Sequence, residues 1–135
     1  MEISVIKFKG ELRTEAEHLA SGKTIITDAP TDNHGKGEAF SPTDLMSTSL
    51  GACAVTIMGI AANNHGFPLG DVEIRIGKYM ASNPRRVEKI TVQFHIPNLD
   101  YDEKQKKILE TAALNCPVSK SLHPDLIQEF SFVYH

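Results

Sequence analysis

The sequence predicts one domain of mixed strands and helices in the order β-β-β-α-β-β-α-α-β. Three observations carry that prediction. Short apolar segments broken by Gly10 and Ser21-Gly22 open the chain, and a 26-residue run without Asp, Glu, Lys or Arg, Leu45 to Gly70, fills its middle. A second pair of alternating segments then leads into a charged segment with an apolar stripe. The length of 135 residues suits one domain, 1–135, rather than two independent cores.

Each element follows from its residues. Ile3, Val5, Ile6 and Phe8, then Leu12-Arg13-Thr14, then Thr24-Ile25-Ile26-Thr27 read as a three-strand meander over residues 1 to 28. Ala29 to Phe40, rich in Gly, Asp, Asn and Pro, reads as an exposed loop. A long helix is expected from Pro42 to about Asn63. Ser41 supplies an N-cap hydroxyl, Pro42 the first helical residue and Asp44 an acid in the first turn, while Asn63-Asn64-His65-Gly66 and Pro68 stop it. Such a helix is roughly 33 Å long, enough to cross a bilayer. Ser47, Thr48, Ser49 and Thr56 dilute its hydrophobicity and no basic residue flanks it, so a buried core helix, closely packed through Gly51, Ala52, Ala54, Gly59, Ala61 and Ala62, fits better.

Val72 to Ile76 and Val87 to Ile96 alternate and are expected to form a hairpin around Ser82-Asn83-Pro84. Asp100 or Asp102 caps the next helix, with Ile108, Leu109, Ala112 and Ala113 as its apolar stripe. Asn115-Cys116-Pro117 breaks it, Pro117 opens a short helix through Leu122, and Phe130 to Tyr134 forms the closing strand.

Composition narrows the function. The 41% hydrophobic and 23% charged residues, with 9 Gly and 7 Pro, exclude collagen-like, coiled-coil and wholly disordered chains. With 14 Lys and Arg against 17 Asp and Glu, there is no electrostatic footprint for nucleic acid, and no membrane-surface anchor is suggested. Two cysteines are too few for a disulfide scaffold, and MEISVIKFKG lacks the pattern of a secretory leader, so a cytoplasmic, reducing setting is expected.

The two thiols are the chemical question. Cys53 lies inside the uncharged helix, where a free cysteine commonly serves as a small hydrophobe. Cys116 precedes Pro117 at a helix start, a position expected to lower a thiol pKa, with Lys120 one turn on as a possible cation. Together they satisfy the residue count for peroxide chemistry, in which one thiolate becomes a sulfenic acid and a second thiol condenses with it. Their separation of 63 positions says nothing about distance. A zinc site is the rival, but there is no Cys-x2-Cys, His-x3-His or His-Glu-x-x-His. His18, His34, His65, His95, His123 and His135 are scattered. His65 or His123 could formally act as a hydrolase base, yet no nucleophile elbow is present.

Ser-Pro-Thr-Asp-Leu leading into Ser49-Leu50-Gly51-Ala52-Cys53, together with Asn115-Cys116-Pro117-Val118, resembles the OsmC/Ohr family of hydroperoxide-detoxifying proteins over essentially the whole chain. The resemblance implies an α+β intertwined homodimer in which the Cys-bearing helix is buried and each active site draws on both subunits. It implies a peroxidatic Cys53, a resolving Cys116, and organic hydroperoxides preferred over hydrogen peroxide, with no cofactor or metal and an unspecified thiol reductant. Family members also use an Arg from the N-terminal strands to stabilise the thiolate and a Glu shortly before the first Cys to hold it. Arg13 is the only Arg before residue 75. The Ohr-type Glu position falls on Thr43, leaving its neighbour Asp44 and the loop acid Glu38 as candidates, and the chain looks closer to the general OsmC-like branch. Met46, Leu50, Ile57 and Phe67 are expected to line an apolar pocket suited to alkyl hydroperoxides. The alternative is a non-catalytic member of the same fold that binds an apolar small molecule in the dimer cleft.

Overall fold

A computed structural model describes residues 1–135. The chain forms two compact units, Met1–Met46 and Ser47–His135. The first is an antiparallel meander of β1 (Ser4–Gly10), β2 (Arg13–His18) and β3 (Thr24–Asp28), in the order β1-β2-β3. A two-residue turn joins β1 to β2, with Glu11 and Leu12 at φ 52° and 61°. Positive φ at both central residues matches the right-handed twist of the strands, but neither residue favours that region as Asn or Gly would. The turn is held from outside: the Ala29 amide donates to the Leu12 carbonyl at 3.1 Å, and Lys36 pairs with Glu11 at 2.7 Å. The segment after β3 is a loop, as expected, and contains a 3-10 turn at Thr31–Asn33.

The long helix α1 runs from Pro42 to His65, two residues beyond the expected end. Its first turn is closed by a reciprocal box: the Asp44 amide donates to Ser41 Oγ and the Ser41 amide to the Asp44 carboxylate, each at 3.0 Å. The buried positions, Ser47, Leu50, Gly51, Ala54, Met58 and Ala62, recur at helical spacing and form one stripe. Cover on every side was expected from the missing charges. Only that stripe is fully buried; Cys53, Val55 and Ile57 are half-buried beside it, and Ala52, Thr56 and Ile60 are exposed. By length and composition α1 could cross a membrane, yet its stripe is seated on protein. A Cβ on Gly51 would lie 2.6 Å from Ile76 Cδ1 and 3.3 Å from Ile74 Cγ2, so the helix backbone approaches β4 where a side chain would not fit without movement.

The second unit holds a sheet in the order β4-β5-β6, comprising β4 (Glu73–Ala81), β5 (Arg86–Ile96) and β6 (Ile127–Tyr134). β4 and β5 form the expected hairpin, while β5 and β6 are parallel. Parallel neighbours need a crossover, and the helices α2 (Glu103–Leu114) and α3 (Pro117–Ser121) supply it. Asp102, rather than Asp100, caps α2 through a capping box with Gln105. Two strands exceed their expected limits. β4 continues past Gly77 to Ala81, and β6 begins at Ile127 because Ile127 to Glu129 pair with Lys89 to Thr91.

Ile90, Val92, Phe94 and Ile96 of β5 are fully buried, as are Leu109 and Ala113 of α2. Phe94 stacks on Phe132 and Phe130 at centroid distances of 4.8 and 6.0 Å. Tyr101 is buried beside Phe67, its hydroxyl donating to the Pro68 carbonyl at 2.9 Å.

Candidate active site

The thiols lie in the second unit and are both unbridged. Cys53 projects from α1 two residues after Gly51 and is half-buried, whereas Cys116 is fully buried. The Cys53 side chain is close enough to Cys116 to perturb its ionisation, so chain positions 63 apart in sequence become neighbours. Cys116 is the N-cap of α3, and its sulfur accepts the Ser119 amide at 3.4 Å. Ser119 is itself fixed by β6: its hydroxyl donates to Gln128 Oε1 at 2.6 Å, and Gln128 Nε2 donates to the Ser119 carbonyl at 3.1 Å.

This arrangement corrects one expectation. Placement at a helix start was expected to lower the Cys116 pKa, but burial pushes the thiol above its ordinary value, and the neighbouring Cys53 adds to the rise. The Ser119 and Val118 amides act in the opposite direction without overcoming burial. The physical reason is scale: α3 has only five residues and offers a weak dipole, while full burial removes the water that would solvate a thiolate. Lys120 points to solvent. Cys116 is therefore a protonated thiol able to donate toward Cys53.

The charged candidates lie in the first unit. Arg13 stands directly opposite Asp28 in the β2–β3 register. Its Nε donates to Asp28 Oδ1 and its Nη2 to Asp28 Oδ2, both at 2.7 Å, which is the bidentate geometry that matches guanidinium to carboxylate. Nη2 also donates to Glu38 Oε1 at 2.9 Å. Glu38 is thus a partner of Arg13, as considered from the sequence, but a secondary and exposed one. The main partner, Asp28, was not among the sequence candidates. A tight turn at Ser21-Gly22 would pair Arg13 with residue 30. The chain instead closes a wider turn, with the His18 amide donating to the Lys23 carbonyl at 2.8 Å, and that brings Asp28 opposite. Asp44 takes the capping role on α1.

The Arg13 guanidinium holds the Asp28 carboxyl below the usual carboxylate range, against the opposing effect of burial. Of the expected pocket residues, Leu50 and Phe67 belong to the buried core, and Met46 and Ile57 are half-buried on α1. No cluster of three or more His, Cys, Asp or Glu is arranged to hold a metal ion.

Two outcomes follow from this geometry. Diamide treatment of the full chain is expected to yield an intrachain disulfide, seen by intact mass as the loss of two hydrogens and reversed by dithiothreitol. Oxidation confined to disulfides between chains would contradict the contact between the sulfurs. The second concerns acid. Because the folded pKa of Asp28 lies below its unfolded value of about 3.9, its contribution to stability is complete above that value and is lost as pH falls through the folded pKa. Arg13→Met removes the cause, so acid unfolding followed by circular dichroism should begin at a higher pH than in the unaltered protein.

Comparison with known proteins places this architecture. The profile of OsmC-like proteins matches residues 35–128. The crystal structure of a Psychrobacter arcticus 273-4 protein, provisionally described as an osmotic stress induced and detoxification response protein, is 46% identical and superposes with a TM-score of 0.93, covering 98% of this chain and 96% of that one. An organic hydroperoxide resistance protein OsmC from Legionella pneumophila shares the fold at 19% identity and a TM-score of 0.72, with 98% and 97% covered. Another organic hydroperoxide resistance protein, from Elizabethkingia anophelis, does so at 14% identity and a TM-score of 0.70, with 100% and 98% covered. No curated protein matches the sequence. A profile match spanning most of the chain, and a 46% identical structure covering nearly all of it, show that the chain belongs to the OsmC-like protein family.

Proposed function

We propose that the protein is a thiol-dependent peroxidase that reduces organic hydroperoxides. The observation that carries this reading is the reduced pair itself, a half-buried Cys53 beside a fully buried Cys116, in a member of the OsmC-like family. The accessible thiol suits attack on an incoming peroxide, and the buried one suits a partner that acts after Cys53 has been oxidised.

In this reading the Cys53 thiolate attacks the terminal peroxide oxygen. An S–O bond forms, the O–O bond breaks, and the alkoxide leaves as the alcohol after taking up the proton that the Cys53 thiol had released. Cys116 then attacks the Cys53 sulfenic sulfur, losing its proton as the hydroxyl departs as water, and a disulfide results. A dithiol reductant returns both sulfurs to thiols by exchange and becomes a disulfide in turn. A reducing, cytoplasmic setting suits that last step. Arg13 is the proposed cation for the thiolate, since a thiolate in a charge-poor helix is costly without one.

The active form in this reading is a homodimer with sites drawing on both subunits. Support comes from the first unit, where Ile6, Ala16 and Ile25 line up across the three strands and Ile6, Phe8 and Ile25 are left exposed. Light scattering is expected to return twice the chain mass, and a monomer at micromolar concentration would count against this part of the reading.

With cumene hydroperoxide and dithiothreitol, the unaltered protein is expected to turn over. Cys53→Ser should abolish the reaction, and Cys116→Ser, treated with the hydroperoxide in the absence of dithiothreitol, should stop at a sulfenic acid that dimedone traps. Arg13→Ala should slow the first step by about 10² to 10³, the usual cost of losing one fixed electrostatic partner. If both thiols instead persist through excess peroxide, the chain is a non-catalytic member of the family.

A further inference from the structure

Arg13 has five N–H donors, and three of their hydrogen bonds are made within the first unit. Asp28 takes Nε and one Nη2 hydrogen, Glu38 takes the second Nη2 hydrogen, and the Nη1 edge remains. The two carboxylates differ sharply in setting. The Asp28 side chain is 1% exposed and the Glu38 side chain 64%. Asp28 also accepts the Glu38 amide at 3.1 Å, so a buried acid at the end of a strand receives three hydrogen bonds. A buried carboxylate is costly unless it is satisfied in this way. Arg13 follows directly on the turn whose two non-glycine residues sit at positive φ, and the Ala29 amide and the Lys36–Glu11 pair brace that turn. Such a conformation persists only where its surroundings hold it, and here it leads directly into Arg13.

We propose that Asp28 is the positioning residue of the site: it fixes the plane of the Arg13 guanidinium so that the Nη1 edge is presented to an anion, with Glu38 as the releasable partner on the solvent side. The inference rests on the reading that Arg13 serves the Cys53 thiolate. It assigns the holding role, which the family resemblance gives to a Glu before the first Cys, to an acid on a different element.

Positioning and simple charge neutralisation predict opposite signs. If Asp28 only cancels charge, then Asp28→Asn makes Arg13 a stronger cation and Cys53 more reactive. If Asp28 positions Arg13, the same change releases the guanidinium and Cys53 loses thiolate. The test is the pH profile of Cys53 alkylation by iodoacetamide in the full chain, followed by peptide mass. Asp28→Asn is expected to move the profile to higher pH and slow alkylation about tenfold at neutral pH, the effect of one unit on the thiolate fraction. Asp28→Glu restores the charge but displaces the carboxylate by a methylene, and should remain slow. A profile that is unmoved or moves to lower pH in Asp28→Asn, or a full recovery in Asp28→Glu, overturns the proposal.

Arg13→Ala separates the two levels. If it leaves the profile unchanged, the role of Arg13 itself fails. If it moves the profile while Asp28→Asn does not, only the present inference fails. Should the Asp28 variants not fold, the unaltered protein still decides the matter through exchange of the arginine Nε–H measured by NMR. Arg13 is expected to exchange more slowly than the exposed Arg75, and equal rates would overturn the proposal.

Discussion

The approach of α1 to β4 at Gly51 is the constraint on which the rest of the second unit depends. A helix that carries no charge between Leu45 and its last residue cannot be left in water along its whole surface, and a glycine at the crossing lets its backbone descend onto Ile74 and Ile76. Cys53 stands two residues further along the same helix. The sheet needs a parallel neighbour on β5, the crossover needs two helices, and the break between them is where Cys116 is buried. The second thiol is thus placed by sheet topology, with Ser119 and Gln128 fixing the final orientation.

The first unit follows a different physical logic. It has little buried apolar surface, with Val5, Ile6, Phe8, Ile25 and Ile26 exposed, and its order comes from hydrogen bonding and charge. Arg13, Asp28, Glu38, Lys36 and Glu11 tie the meander to the loop that follows it. Such a network tolerates no unpaired member in its buried part, because removing one partner of Asp28 leaves a carboxylate without compensation. Its outer part, at Glu38 and Glu11, is exposed to water and contributes less.

Most of the element order was legible in the sequence because the signals are local. The Ser41 to Asp44 cap, the alternation of β5 and the Pro117 break each act over a few residues and give the same answer in isolation as in the fold. What failed to show was everything set by pairing. Ile127 to Glu129 carry no strand signal of their own and become β6 because β5 lies beside them. Gly77 reads as a breaker but continues β4, because the hairpin with β5 runs through it. The role of Asp28 is not visible in the sequence because it depends on the β2–β3 register, where a slip of one residue in the turn moves every cross-strand partner by two. The direction of the Cys116 shift is hidden for a related reason, since proximity to a helix start can be read from the sequence while full burial cannot.

The placement of Cys116 in a crossover has a consequence for the balance between chain states. A bond between it and Cys53 would tie α1 to the α2–α3 junction and close a loop of about 63 residues. On the chain-entropy view, a loop of that size lowers the entropy of the unfolded chain by an amount equivalent to roughly 4 kcal/mol of stability. The oxidised form would then be the harder of the two to unfold. A protein that alternated between these forms would be most vulnerable to proteolysis or misfolding when freshly reduced, and most durable while waiting for its reductant.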